Sequence, residues 1–81
     1  MIPNFAAYRL GCAETILIRC RREVSEGPEL QVGTYAAVGA YASCYRDALK
    51  QCPEVARASL ETVRAWPATW ALLPDDVRGS V

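Results

Sequence analysis

The sequence contains no histidine. That absence alone excludes Ser-His-Asp triads, Cys-His nucleophile pairs, imidazole metal ligands and histidine pH switches. Net charge is also missing, because nine Lys and Arg balance nine Asp and Glu. A chain with no basic excess is a poor free-standing ligand for nucleic acid or for an anionic membrane surface. Long apolar runs are lacking too: Ile16-Leu17-Ile18 and Trp70-Ala71-Leu72-Leu73 fall far short of the ~20 residues that span a bilayer. The first nine residues, Met1 to Arg9, have no basic stretch ahead of an apolar core, so no cleavable leader is expected. There is no Gly-rich phosphate loop, no nucleophile elbow and no C-x-x-C. The one carboxylate pair, Asp75-Asp76, sits in a tail read as polar, without the burial that acid catalysis needs. The expectation is a protein that is not an enzyme. It uses no cofactor, no metal and no small-molecule substrate, spans no membrane and binds no nucleic acid.

Cysteine, by contrast, is abundant: four in 81 residues. A domain this small builds a marginal core and commonly depends on disulfides, a metal or a partner. Where the cysteines fall is therefore informative.

Hydrophobic periodicity places them on helices. Asn4 fits an N-cap, and apolar residues recur at Ala6, Leu10, Ala13, Leu17, Cys20 and Val24, which predicts a first helix over about residues 5–25. Arg19, Arg21 and Arg22 match the negative end of its dipole, and Ser25-Glu26-Gly27-Pro28 is a stop signal. The alternation of Thr15 to Val24 leaves a strand, paired with residues 30–32, as the competing assignment. After a loop over residues 26–33, Thr34 can cap a second helix over about 35–51. Its face of Ala37, Tyr41, Cys44, Tyr45, Ala48 and Cys52 opposes Arg46 and Lys50. Pro53 ends that helix and suits the first position of a third, Glu54 to about Trp66. Ala56, Leu60 and Val63 form its inner face, while Glu54, Arg57, Glu61 and Arg64 are spaced for ion pairs on the outside. Pro67 breaks it, and a short apolar segment carries Trp70, Leu72 and Leu73. The fold class is all-α: an antiparallel hairpin over residues 5–52, then a third helix and an apolar tail over residues 53–81, in one domain.

Cys12 and Cys20 are separated by seven residues, and so are Cys44 and Cys52. Eight steps of a helix leave two residues ~12 Å apart along the axis and ~80° apart around it, on one broad face. Cys12 cannot reach Cys20, since a disulfide needs Cα atoms within about 7 Å. Cys12–Cys44 with Cys20–Cys52 would demand parallel helices and a loop stretched to its limit. Cys12–Cys52 with Cys20–Cys44 needs only antiparallel neighbours, with Ile16 against Ala48 between the bridges, and each bridge would add about 2–4 kcal/mol. Zinc is disfavoured because its ligand pairs lie closer in sequence. The remaining alternative is four reduced thiols packed as small hydrophobes.

The two stretches from Cys12 to Cys20 and from Cys44 to Pro53 resemble the coiled-coil-helix–coiled-coil-helix (CHCH) family. These are twin CxnC proteins of the mitochondrial intermembrane space. The spacing here is seven, where the family has nine. The resemblance implies import without a cleaved presequence, oxidation in that compartment, and a role as an accessory subunit of a respiratory-chain complex, bound to other protein subunits. A small cytoplasmic phage or bacterial inhibitor or adaptor with reduced cysteines, binding one protein target, is the alternative. Trp66, Trp70, Leu72 and Leu73 are the candidate partner-docking group; a small core folded back on the hairpin would use the same four residues.

Overall fold

The computed structural model describes residues 4–24 and 31–80. Among them are five helices: α1 (Phe5–Val24), α2 (Gln31–Gln51), α3 (Pro53–Arg64), α4 (Pro67–Leu72) and α5 (Asp75–Arg78). No strand occurs among the described residues, so residues 15–24 are helical and the strand alternative is not adopted.

Local chemistry explains most boundaries. The Ala6 and Ala7 amides donate to Asn4 Oδ1 at 3.1 and 3.3 Å, the cap expected of that residue. The stop signal at residues 25–28 lies outside the described residues. α2 begins at Gln31, three residues ahead of the expected cap: Thr34 is buried inside the helix rather than standing at its start. Gly33 does not interrupt the helix, because a glycine lowers helix propensity by only about 1 kcal/mol and packing overrides that. Cys52 alone joins α2 to α3. Its amide closes the last turn of α2 on the Ala48 carbonyl, and its own carbonyl accepts from Ala56. Pro53 and Pro67 each open a helix at a position where a missing N–H costs nothing.

The most extensive contact is between α1 and α2. They run antiparallel, as the ion pair between Arg9 near the start of α1 and Asp47 near the end of α2 requires (3.9 Å). The buried stripe of α1 is Ala6, Leu10, Ala13 and Leu17. Ala37, Val38, Ala42 and Ala48 face the core from α2 and allow close approach, while Tyr41 and Tyr45 fill it. The two rings stack at 6.2 Å between centroids. α3 adds Ala56, Leu60 and Val63, the face expected of it.

The C-terminal part corrects the expectation of a polar tail. Val77, in α5, is in the core beside Leu73. Two side-chain ties hold this segment on α2. Arg46 grips Asp76 through two parallel bonds, Nε to Oδ2 at 2.8 Å and Nη2 to Oδ1 at 3.0 Å. The Tyr45 hydroxyl bonds Ser80 Oγ. Because Ser80 gives its own proton to the Val77 carbonyl, the tyrosine must be the donor. Asp75 pairs with Arg78 within α5. Of the two carboxylates, Asp76 ties the segment to α2 and Asp75 pairs only within α5.

Candidate functional site

The four cysteines do not form the expected staple. No disulfide joins any two of them. The register of α1 is the reason. Its core stripe is centred on Leu10 and Leu17, and Cys12 lies about 200° around the helix from Leu10. Cys12 therefore faces solvent, as does Ile16, which is 51% exposed and not packed on the buried Ala48. Cys20, Cys44 and Cys52 are half-buried and pack against the edge of the core. Equal spacing in the sequence did not become equal facing, because eight residues turn a helix by ~80° and one thiol of the pair leaves the buried side. The pairings Cys12–Cys52 and Cys20–Cys44 are thus not supported. The all-α hairpin holds by apolar packing without them.

The expected docking group is divided. Leu73 belongs to the core and has no surface to offer a partner. Trp66 and Trp70 are half-buried against the core, with the Arg64 guanidinium 5.9 Å from the centre of the Trp70 ring. Leu72 sits at the rim, 36% exposed. α4 covers the hairpin, in the manner of a small folded-back core, and its large residues are only partly outward.

The apolar surface lies elsewhere. Phe5 is 69% exposed, Tyr8 is 70% exposed, and with Cys12 and Ile16 they fall three or four residues apart along one outer face of α1. The sequence signal was present: these positions form a second apolar stripe beside the first. An inward Cys12 and Ile16, as the disulfide pairing requires, hides it. Arg9 and Arg19 are exposed on the same helix; the side chains of Arg21 and Arg22 lie outside what is described.

On another side of α1 a groove opens against α3, with a volume of about 280 Å³. Ala7, Leu10 and Gly11 line it from α1 and Val55 and Ala58 from α3, with Glu14, Ser59 and Thr62 as its polar members. Beneath it runs a chain of hydrogen bonds. Ser59 Oγ donates to Glu14 Oε1 at 3.0 Å, which fixes the Tyr41 hydroxyl, 2.8 Å away, as donor to Ser59. Burial pushes the Tyr41 phenol up to about 12, with the Glu14 and Tyr45 charges adding to the rise and the Ser59 hydrogen bond opposing it. Arg46 holds the Asp76 carboxyl below its ordinary range through their hydrogen bonds. Sequence reading did not find the chain, since its members lie up to 45 residues apart.

Among the described residues no group of three Cys, Asp or Glu could hold a metal ion, and no helix is long and apolar enough to cross a membrane. Comparison with protein families, with curated proteins and with solved structures finds no match to this chain. Its own surfaces are what bear on its function.

Proposed function

We propose that this chain is a non-catalytic adaptor that binds a helical segment of another protein along the outer face of α1. One observation carries the proposal: Phe5, Tyr8 and Ile16 stand largely exposed in helical register on a helix whose neighbouring side already supplies the core. A row of this kind is the half of a helix–helix contact that a single chain leaves open. Aromatic residues are favoured anchors in such contacts.

Charge narrows the partner. Arg19 is exposed on α1, as is Arg9 beside its long 3.9 Å pair with Asp47, while the described carboxylate of α1, Glu14, is turned to α3 and bonded there. A segment with apolar residues at helical spacing and acidic flanks is complementary. A second copy of the chain is not, because antiparallel pairing of two α1 faces brings Arg9 close to the Arg9 of its mate. An accessory subunit of a respiratory-chain complex would place this same face on a neighbouring subunit. Support for that assignment comes from the cysteine resemblance alone.

A synthetic helical peptide with leucines at heptad spacing and glutamate flanks is the probe, with a lysine-flanked version beside it. The acidic peptide should bind, and more weakly as salt rises. The F5S/Y8S double variant should lose at least about tenfold in affinity with an unchanged melting temperature, since both residues are outside the core. Equal binding of the lysine-flanked peptide, no binding of either, or an unaffected double variant would each sink the proposal. So would a concentration-dependent dimer in sedimentation that the double variant abolishes. Alkylation of protein purified without reductant separates the two settings: four modified thiols argue for a reduced adaptor, and none for an oxidised subunit.

A further inference from the structure

We infer that the groove between α1 and α3 is a binding site for a small aliphatic primary amine in its ammonium form. The site is distinct from the outer face of α1, since Ala7, Gly11 and Glu14 lie on a different side of the helix from Tyr8 and Cys12. Its size sets the first limit. About 280 Å³ is below the range of ~300–1,000 Å³ that houses cofactors and drug-sized ligands, and suits a short chain of a few carbons. Ala7, Leu10, Val55 and Ala58 would lie along one side of the carbon stem and leave its other side in water.

The polar lining identifies the head group. Each of its three polar side chains has already committed its proton or has none. Glu14 is a carboxylate. Ser59 gives its hydroxyl proton to Glu14, at 3.0 Å. Thr62 gives its own to the Ala58 carbonyl, at 3.3 Å. What faces the groove is therefore acceptors only, with one negative charge. An anion finds no donor here. A metal ion finds a single carboxylate. An ammonium group, with three donors and no acceptor, meets this inventory. A guanidinium fits less well, because its planar fork prefers two open carboxylate oxygens and Ser59 occupies Oε1.

Glu14 is also without an ion-pair partner among the described residues. The candidate cations are turned away: Arg9 pairs with Asp47, Arg19 lies about 140° around α1 from Glu14, and Arg57 falls on the far side of α3 from Val55 and Thr62. The carboxylate is held in place regardless, by the chain from Tyr41 through Ser59. A charge that is preset, half-buried and uncompensated is one that a cationic ligand can reach without rearranging the fold.

The test is a titration of the whole chain with n-pentylammonium at neutral pH, followed by backbone amide NMR. Saturable shifts should appear at Gly11, Glu14, Val55 and Ser59, in the millimolar range normal for so small a ligand. The uncharged isostere n-pentanol should bind at least about tenfold more weakly, the scale of one charge-assisted hydrogen bond. Glu14→Gln can still accept from Ser59, so it should leave the fold intact and cost a similar factor. Gly11→Leu fills the groove from a position with no heavy atom within 4 Å of a new Cβ, and should abolish the shifts. Equal binding of pentanol, an unaffected Glu14→Gln, or no saturable shift by about 50 mM overturns the inference. A blocked lysine amide that binds tightly while pentylammonium does not would also overturn it, because the site would then read a peptide and not a free amine.

Discussion

α1 and α2 are almost equal in length, 20 and 21 residues, and share one core, yet their outer sides are built in opposite ways. α2 turns Gly39, Ala40, Ser43, Arg46 and Lys50 outward, with Tyr35 as the one large ring, near its start. α1 turns out Phe5, Tyr8, Cys12 and Ile16. The contrast follows from position in the fold. α2 is the helix on which α1, α3, α4 and α5 all lean, so its large residues are consumed by neighbours and only small or charged ones remain outside. α1 packs on α2 and α3 and keeps a third side. Apolar residues left over on a helix that already has a satisfied core side are evidence of a contact the chain does not make with itself.

The comparison can be broken most directly inside α1. Leu17 and Ile16 are adjacent and nearly isosteric, but Leu17 is fully buried and Ile16 is not. Leu17→Ala should lower the urea unfolding free energy by about 3 kcal/mol, and Ile16→Ala by less than about 1 kcal/mol. Equal losses would mean that the helix sits in another rotation and that its outer face is not free for a partner.

The next largest effect tests how α2 is used up. Tyr45→Phe removes the bond to Ser80 and should cost about 1 kcal/mol, with faster amide exchange at Val77 and Arg78. Tyr41→Phe should cost about as much, and it changes the alkaline behaviour as well. The Tyr41 phenol is raised from 10.0 to about 12 by burial, so the fold keeps its proton where the unfolded chain has released it. Its contribution to stability is full below pH 10 and is lost as pH rises through 12. Phenolate absorbance should show this late titration, and urea midpoints measured above pH 10 should fall less steeply in Tyr41→Phe than in the parent protein.

The smallest effect sharpens the other half of the comparison. Gly39 lies on the outer side of α2 with no heavy atom near a new Cβ. Gly39→Ala should therefore raise stability by about 0.5–1 kcal/mol in thermal melts. A loss would show that this face is covered after all.

Much of this architecture could be read from the sequence. The Asn4 cap, the apolar stripe from Ala6 to Leu17, the proline at the head of α3 and the inner face of Ala56, Leu60 and Val63 are local signals, and each held. The failures share a cause. The loop expected over residues 26–33 puts the cap of α2 at Thr34, whereas the helix begins at Gln31 and runs through Gly33. Asp75 and Asp76 make the tail look polar, whereas Arg46, 30 residues away, ties Asp76 to α2 at the surface while Val77 between the ties enters the core. The spacing of the cysteine pairs puts each pair on one broad face; which part of that face meets α2 depends on the whole apolar stripe. The groove depends on Glu14 and Ser59 meeting across 45 residues, which no periodicity encodes.

The single-residue joint at Cys52 has a kinetic consequence. Once α2 has formed, α3 is tethered to its end with almost no slack, and bringing it down against α1 closes no long flexible loop. The entropic barrier to that step is correspondingly low. The groove and the hydroxyl relay under it should assemble as soon as the hairpin does, leaving α4 and α5 as the last pieces to dock.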